Sequence, residues 1–236
     1  MRFFIDRPIT QGAEIAITDA GIRHQLARVL RYTAGDTMIV LDGKGNEGEA
    51  VIQSITKDAV TVKVGVYGRN KNEPEYAVAL YQSILKKDKM EFVFEKCTEI
   101  GVSRFVPMLS EHSVKQGVNC VRARKIVREA AEQSRRGIIP EISEIRSFAD
   151  AVQEAKKSGA MCVLAHNEGD TEHLGDFART HDLSGGINAF IGPEGGFSDA
   201  EVAHASQNGF HVVSLGKRTL RAETAAIVAS FAVVEQ

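Results

Sequence analysis

From Tyr76 onward, short apolar strands alternate with helices, and this alternation constrains the fold more than any other feature of the sequence. Expected strands are Tyr76–Ser83, Phe105–Leu109, Glu141–Ile145, Ala160–Ala165, Ile187–Ile191 and His211–Leu215. Between and after them lie expected helices Lys86–Gly101, Val121–Arg136, Phe148–Lys157, a weaker one near Glu172–Thr180, a short amphipathic segment after Ser198, and Ala225–Val234. Such alternation implies a mostly parallel sheet with helices on its faces, an α/β fold. Local signals agree: Met90, Val93, Phe94, Cys97 and Ile100 form one apolar helical stripe that Gly101 would stop. Ser147-x-x-Asp150 and Ser198-x-x-Glu201 have the form of capping boxes.

Before this the pattern is different. Phe3–Ile5, Thr37–Leu41, Glu47–Ile55 and Ala59–Val66 are short β-branched segments divided by turn signals such as Asp42-Gly43-Lys44-Gly45-Asn46, a spacing that suggests a small β-barrel. One helix, about Asp19 to Tyr32, interrupts them. Ile22, Leu26, Val29 and Leu30 would face the core, and His24, Arg28 and Arg31 would form a cationic row on the other side, suited to RNA phosphates or simply to solvent. The polar stretch Tyr67–Glu75 reads as a linker, so the expected division is a barrel domain over residues 1–70 and an α/β domain over 71–236. A chain of 236 residues has room for both.

No apolar run approaches the roughly 20 residues of a membrane span, and the amino terminus does not read as a signal peptide, so the expectation is a cytoplasmic protein without a membrane partner. The three cysteines form no C-x-x-C pair, which argues against a disulfide framework and a metal site. A net charge of −2 excludes bulk polycation binding to nucleic acid, yet the basic residues Lys115, Arg122, Arg124, Lys125, Arg128, Arg135 and Arg136 stand against only Glu129 and Glu132 in one stretch. That local excess favours a polyanionic partner.

Chemistry concentrates between Ile191 and Ala226. Two glycine-bearing loops, Ile191-Gly192-Pro193-Glu194-Gly195-Gly196 and Leu215-Gly216-Lys217-Arg218-Thr219-Leu220-Arg221, each follow a predicted strand and precede a helix. Loops at the carboxyl ends of strands are where α/β sheets bind ligands, and two of them suggest one pocket. Taken alone, Gly-Pro-Glu-Gly-Gly reads more simply as a tight turn whose glycines supply positive φ, and it is the second loop that favours a site. The charged cluster Lys217, Arg218, Arg221 and Glu223 at the mouth of an apolar helix is harder to assign to packing.

Together with Glu223-Thr224, these loops resemble the signature of the 16S ribosomal RNA uracil-N3 methyltransferases of the SPOUT class. Three further blocks resemble that family: His24 with Val29-Leu30-Arg31 and Gly35-Asp36, Lys89-Met90-Glu91 through Ile100-Gly101-Val102, and Glu132-Gln133. The resemblance implies a SPOUT-type trefoil-knotted α/β domain preceded by a small PUA-like β-barrel, working as a homodimer on 16S rRNA or the small ribosomal subunit. It also implies S-adenosylmethionine as cofactor, held by Ile191, Gly192 and Gly196, by Leu215, Gly216 and Leu220, and by Leu164 and Ala165 beneath. His24, Arg28, Arg31, Arg135 and Arg136 would meet RNA. Two segments depart from the family pattern: Ala165-His166-Asn167-Glu168 lacks a His-Pro found in many relatives, and His112 stands where many carry arginine.

Methylation at N3 of uracil needs alignment of nitrogen, methyl and sulfur, and loss of a weakly acidic proton. Arg221 is expected to stabilise the charge that develops on the base, and Glu223 or Glu194 either accepts the proton or orients Arg221. Two other classes compete. An enzyme binding a nucleotide phosphate at Gly192–Gly196 would want G-x-x-x-x-G-K-[ST] or G-x-G-x-x-G, and neither is present. A purely RNA-binding module would use the basic helices but have no need of the paired loops.

Overall fold

The computed structural model describes residues 1–5, 7–113, 117–167 and 171–235, so Lys115 of the basic stretch and Glu168 of the departing segment lie outside the described residues. The chain forms two compact units, one of residues 1–73 with 131–139, the other of residues 74–130 with 140–236. A linear boundary at residue 70 does not include the 131–139 segment in the first unit.

The first unit carries a five-stranded sheet in the order β1 (Arg2–Phe4), β3 (Thr37–Leu41), β4 (Asn46–Ile55), β5 (Val60–Arg69), β2 (Glu14–Ile17). Only the β1–β3 pair is parallel. Alternate residues of the strands, among them Phe3, Ile15, Val40, Ile52 and Val62, enter the main core with Leu26, while Phe4 and Leu41 pack with Ala131 in a smaller second cluster. β5 continues through Tyr67, Gly68 and Arg69, which the sequence reading had assigned to a linker.

The helix expected over Asp19–Tyr32 is shorter and irregular. Asp19 accepts the N–H of Ile22 at 2.8 Å and starts α1 (Ala20–His24), after which Gln25–Val29 form one π-helical turn and Arg31 adopts φ 55°. The wider π turn shifts the face presented by later residues. Val29, expected in the core, is therefore 63% exposed, while Leu26 stays buried. His24, Arg28 and Arg31 are all exposed but do not lie on one regular helical row.

The second unit is the parallel α/β sheet. Its order is β12 (His211–Val213), β10 (Met161–Ala165), β11 (Ile187–Ile191), β6 (Val78–Ser83), β7 (Arg104–Leu109), β8 (Glu141–Ile142), with β9 (Arg146–Ser147) also on β7. Every pairing is parallel. The expected strand Glu141–Ile145 is thus two short pieces. β11 is buried along its whole length, as the continuous apolar run of a central parallel strand requires. Its one polar side chain, Asn188, donates to Ser158 Oγ at 2.9 Å.

The helices are α2 (Lys87–Ile100), α3 (Cys120–Gln133), α4 (Phe148–Ser158), α5 (Leu174–Thr180), α6 (Asp199–Gln207) and α7 (Ala222–Val234). Gly101 ends α2 at φ 131°, and Ser147 caps α4 by accepting the N–H of Asp150. α7 packs on α2, α5, β6 and β11. Beyond β12, Ser214 accepts the N–H of Leu174 and donates to Glu172 O, both at 2.9 Å, so the chain leaving the last strand is laced to the loop that follows β10. No helix among the described residues is long and apolar enough to cross a membrane.

Candidate active site

Three adjacent parallel strands, β12, β10 and β11, end side by side, and the loops beyond them wall a cleft of about 410 Å³. That is a volume ordinary for a small-molecule site. Its walls are Ala165, His166 and Asn167 after β10, Ile191 to Phe197 after β11, and Leu215, Arg218, Thr219, Leu220, Ala222 and Ala225 around the start of α7. The two glycine loops therefore form one site.

In the first loop Gly196 N–H donates to Pro193 O at 2.9 Å, closing a four-residue turn. Gly196 has φ 72°, and a Cβ there would meet no protein atom within 4 Å. Gly192 is different: a Cβ would come within 3.2–3.3 Å of the backbone of Gly196 and Phe197. One glycine is needed for backbone conformation, the other for close approach. The loop then enters α6 through a complete capping box, with Ser198 Oγ accepting Glu201 N–H and the Glu201 carboxylate accepting Ser198 N–H at 3.0 Å. The other oxygen of Glu201 accepts the N–H of Glu111 at 2.9 Å.

Three side chains from elsewhere brace this loop. His112 Nδ1 lies 3.2 and 3.3 Å from the carbonyl oxygens of Gly195 and Gly196, which requires the proton on Nδ1. Gln82, fully buried at the end of β6, directs its amide nitrogen at Ser83 O (3.0 Å) and, at 3.4 Å, at the carbonyls of Ile191 and Gly192. Lys89 on α2 donates to Glu194 Oε1 at 3.0 Å and stands 3.4 Å from Glu223 Oε2, an oxygen otherwise buried without a hydrogen bond. Burial pushes the Glu194 carboxyl up, but the hydrogen bond and charge of Lys89 outweigh it and hold the group below the usual carboxylate range. The same hydrogen bond raises the Lys89 ammonium above its ordinary value.

Of the side chains expected at the cofactor, Ala165, Ile191, Gly192, Gly196, Leu215 and Leu220 line the cleft. Leu164 does not: it is fully buried in the core beneath Ala165. Gly216, at φ 111°, shapes the second loop without entering the lining. Among the expected catalytic groups Glu194 lines the cleft, whereas Glu223 sits behind it on Lys89. Arg221 is the exposed N-cap of α7, between the lining residues Leu220 and Ala222. Arg218 is the one arginine of the wall. Among the described residues, neither guanidinium makes a hydrogen bond or ion pair, although the Arg221 carbonyl accepts the N–H of Ala225 at 2.8 Å.

The candidate RNA contacts fall in the first unit, and one is corrected. His24, Arg28, Arg31 and Arg135 are exposed, and Arg135 adopts φ 64°. Arg136 is only 2% exposed and pairs with Glu73 at 2.7 Å, the same carboxylate that accepts the N–H groups of Gly137 and Ile138. A guanidinium so enclosed holds the 131–139 segment and is withdrawn from RNA. The signals that sequence reading passed over were Gln82 and Ser83, polar residues ending an apolar strand, and Lys89, noted only as part of a motif.

Comparison with known proteins agrees with this geometry. An RNA methyltransferase domain model matches residues 71–234, and an RNA methyltransferase PUA domain model matches residues 11–65. Ribosomal RNA small subunit methyltransferase E of Bacillus subtilis is 31% identical, the match covering 100% of this chain and 96% of that protein. The protein of the same name from Synechocystis is 34% identical over 92% of this chain and 71% of its own length. A crystal structure of the Neisseria gonorrhoeae ribosomal RNA small subunit methyltransferase E bound to S-adenosyl methionine superposes with a TM-score of 0.86 at 30% identity, covering 97% of this chain and 94% of that one. With its cleft between two glycine loops in an α/β unit that matches the RNA methyltransferase domain, and with a PUA unit before it, this chain belongs to the ribosomal RNA small subunit methyltransferase E family.

Proposed function

We propose that the chain transfers a methyl group from S-adenosylmethionine to N3 of one uridine in the 16S rRNA of the small ribosomal subunit. The observation that carries this reading is the cleft itself, walled by backbone from two glycine loops and opening beside unpaired arginines. The fit to the cofactor is good on the donor set: Gly196 leaves backbone open to a close ligand, Gly192 lets the loop fold tightly against Gly196 and Phe197, Leu215 and Leu220 supply apolar wall, and Arg218 supplies a cation for a carboxylate. When bound, S-adenosylmethionine supplies an electrophilic methyl on a sulfonium.

The chain's own residues then divide the work. Arg218, in the wall, meets the cofactor. Arg221, outside the wall at the mouth, meets what comes to the cofactor. As N3 loses its proton, negative charge spreads onto O2 and O4, and the guanidinium of Arg221 stabilises that charge more than the neutral base. Glu194 is ionised at neutral pH and lines the cleft, so it is open to receive the proton; being held below the usual range, it is a weak base and leaves most of the work to Arg221. His24, Arg28, Arg31 and Arg135 engage RNA phosphates.

The working form we propose is a homodimer joined through the exposed apolar face of α2 and α7, where Phe92 (43% exposed), Val228 and Phe231 (58%) surround an open groove with Ile227. A Phe231→Glu chain should sediment as a monomer.

The test of the activity is transfer of labelled methyl from S-adenosylmethionine to unmodified small subunits and to naked 16S rRNA, with the product located by reverse-transcription arrest. N3 methylation blocks Watson–Crick pairing, so a single stop at one uridine is expected. Absence of cofactor binding would sink the assignment.

A further inference from the structure

Lys89 is the junction of three elements at the cleft. It projects from the first turn of α2 and reaches Glu194 of the loop after β11 and Glu223 in the first turn of α7. Glu223 lies two residues beyond Arg221, whose guanidinium has no partner among the described residues. Glu194 lines the cleft whose wall includes Leu220 and Ala222 on either side of Arg221, and a glutamate released to reach Arg221 would form a charge-assisted, bidentate pair with it. Lys89 holds both glutamates, and Glu223 Oε2, buried and otherwise without a hydrogen bond, depends on it.

We propose that Lys89 is a positioning residue for methyl transfer: by bridging Glu194 and Glu223 it keeps both carboxylates off Arg221 and leaves the guanidinium free for the substrate base. This rests on the methyl-transfer reading above. Lys89 is not itself a residue of the cleft wall and does not touch the reacting atoms; it acts through the two glutamates, one of which, Glu194, lines the wall.

The experiment compares the full-length chain with Lys89→Met, Lys89→Arg and the double variant Lys89→Met/Glu223→Gln, with Lys89→Gln in place of Met should the latter fail to fold. Three readouts are taken: kcat on unmodified small subunits, affinity for S-adenosylhomocysteine, and rotation of the Arg221 guanidinium by 15N NMR. Lys89→Met should lose about 100-fold in kcat, the scale of a misassembled charge site. Its cofactor affinity should stay within about threefold, the split that separates transition-state effects from binding. The double variant should regain at least about tenfold, because one of the two competing carboxylates has lost its charge. Lys89→Arg should stay within about tenfold of the parent, since the charge is kept but the geometry altered. Guanidinium rotation should be free in the parent, hindered in Lys89→Met and free again in the double variant. A double variant no better than Lys89→Met, an unchanged kcat in Lys89→Met, or a freely rotating Arg221 in Lys89→Met would each overturn the proposal. If the parent itself transfers no methyl, the functional reading fails and the NMR comparison alone decides whether Lys89 keeps Arg221 unpaired.

Discussion

The two loops that wall the cleft are held in opposite ways. The first, from Ile191 to Phe197, is gripped from outside at nearly every residue: Gln82 on its first carbonyls, Lys89 on Glu194, His112 on the carbonyls of Gly195 and Gly196, and a capped helix at its exit. The second is pinned at its start by Ser214, whose backbone pairs with Glu172 and Leu174 and whose hydroxyl donates to Thr171 O at 3.5 Å, and the side chains of its cations Lys217, Arg218 and Arg221 reach solvent unpaired among the described residues. The braced loop is held in shape by the protein's own side chains, as a preorganised site requires. The unbraced cations are reserved for charge that comes from elsewhere. On the reading proposed above, cofactor recognition would belong mainly to the first loop and substrate recognition mainly to the second, with Arg218 as the link.

The largest effect should come from Gly196→Val. At φ 72° a β-branched side chain is strained, and the space its Cβ would enter is the cleft. Binding of S-adenosylhomocysteine, read by titration calorimetry, should disappear. Retained binding would remove the first loop from the cofactor site and with it half of the comparison.

Arg221→Ala comes next. Loss of one charge-stabilising donor costs on the order of 100- to 1,000-fold in kcat, while affinity for S-adenosylhomocysteine should hardly move. Arg218→Ala should show the reverse split, weakening cofactor binding by about tenfold, the worth of one exposed charged contact, with less effect on kcat. If the two arginines exchanged these phenotypes, the second loop would still divide between cofactor and substrate, but with the roles reversed.

These contrasts bear on what a sequence displays. The strands and helices of the α/β unit were legible because each is announced locally: β11 by an unbroken apolar run, α2 by its stripe and Gly101, α6 by Ser198 and Glu201. The two loops were legible for the same reason, since glycine and charge recur at fixed places after strands. β2 was missed because four residues of alternation, Glu14 to Ile17, are too few to stand out. The π turn was missed because its residues suit a regular helix, and only the turn's width moved Val29 outward. Arg136 looked like its neighbour Arg135, yet its partner Glu73 lies 63 residues away. The bracing of the first loop has the same character: Lys89 and Glu194 are 105 residues apart, His112 and Gly195 83. Pairings over such distances leave no local pattern, and they are what separates the two loops.

A smaller effect is expected for His112→Phe. The ring is kept and the donor to the Gly195 and Gly196 carbonyls is lost, so cofactor affinity should fall about 5- to 10-fold, the value of one neutral hydrogen bond. An unchanged affinity would mean that the turn closed by Gly196 and Pro193 holds its own shape.

Ser198→Ala should be smallest of all at the site and still visible in stability. Removing the cap oxygen leaves the N–H of Glu201 unsatisfied and costs about 1 kcal/mol, with a fall in Tm of roughly 2–4 °C. Glu201 keeps its bonds to Ser198 N–H and Glu111 N–H, so the loop ahead of the helix stays tied to the segment that carries His112. Cofactor affinity should therefore change by less than about threefold, within the reach of a distant cap on a loop held elsewhere. A drop beyond tenfold with the same small change in Tm would place control of the first loop in the entrance to α6. Its bracing would then come from its own helix rather than from Gln82, Lys89 and His112, and the contrast between the loops would rest on their charges alone.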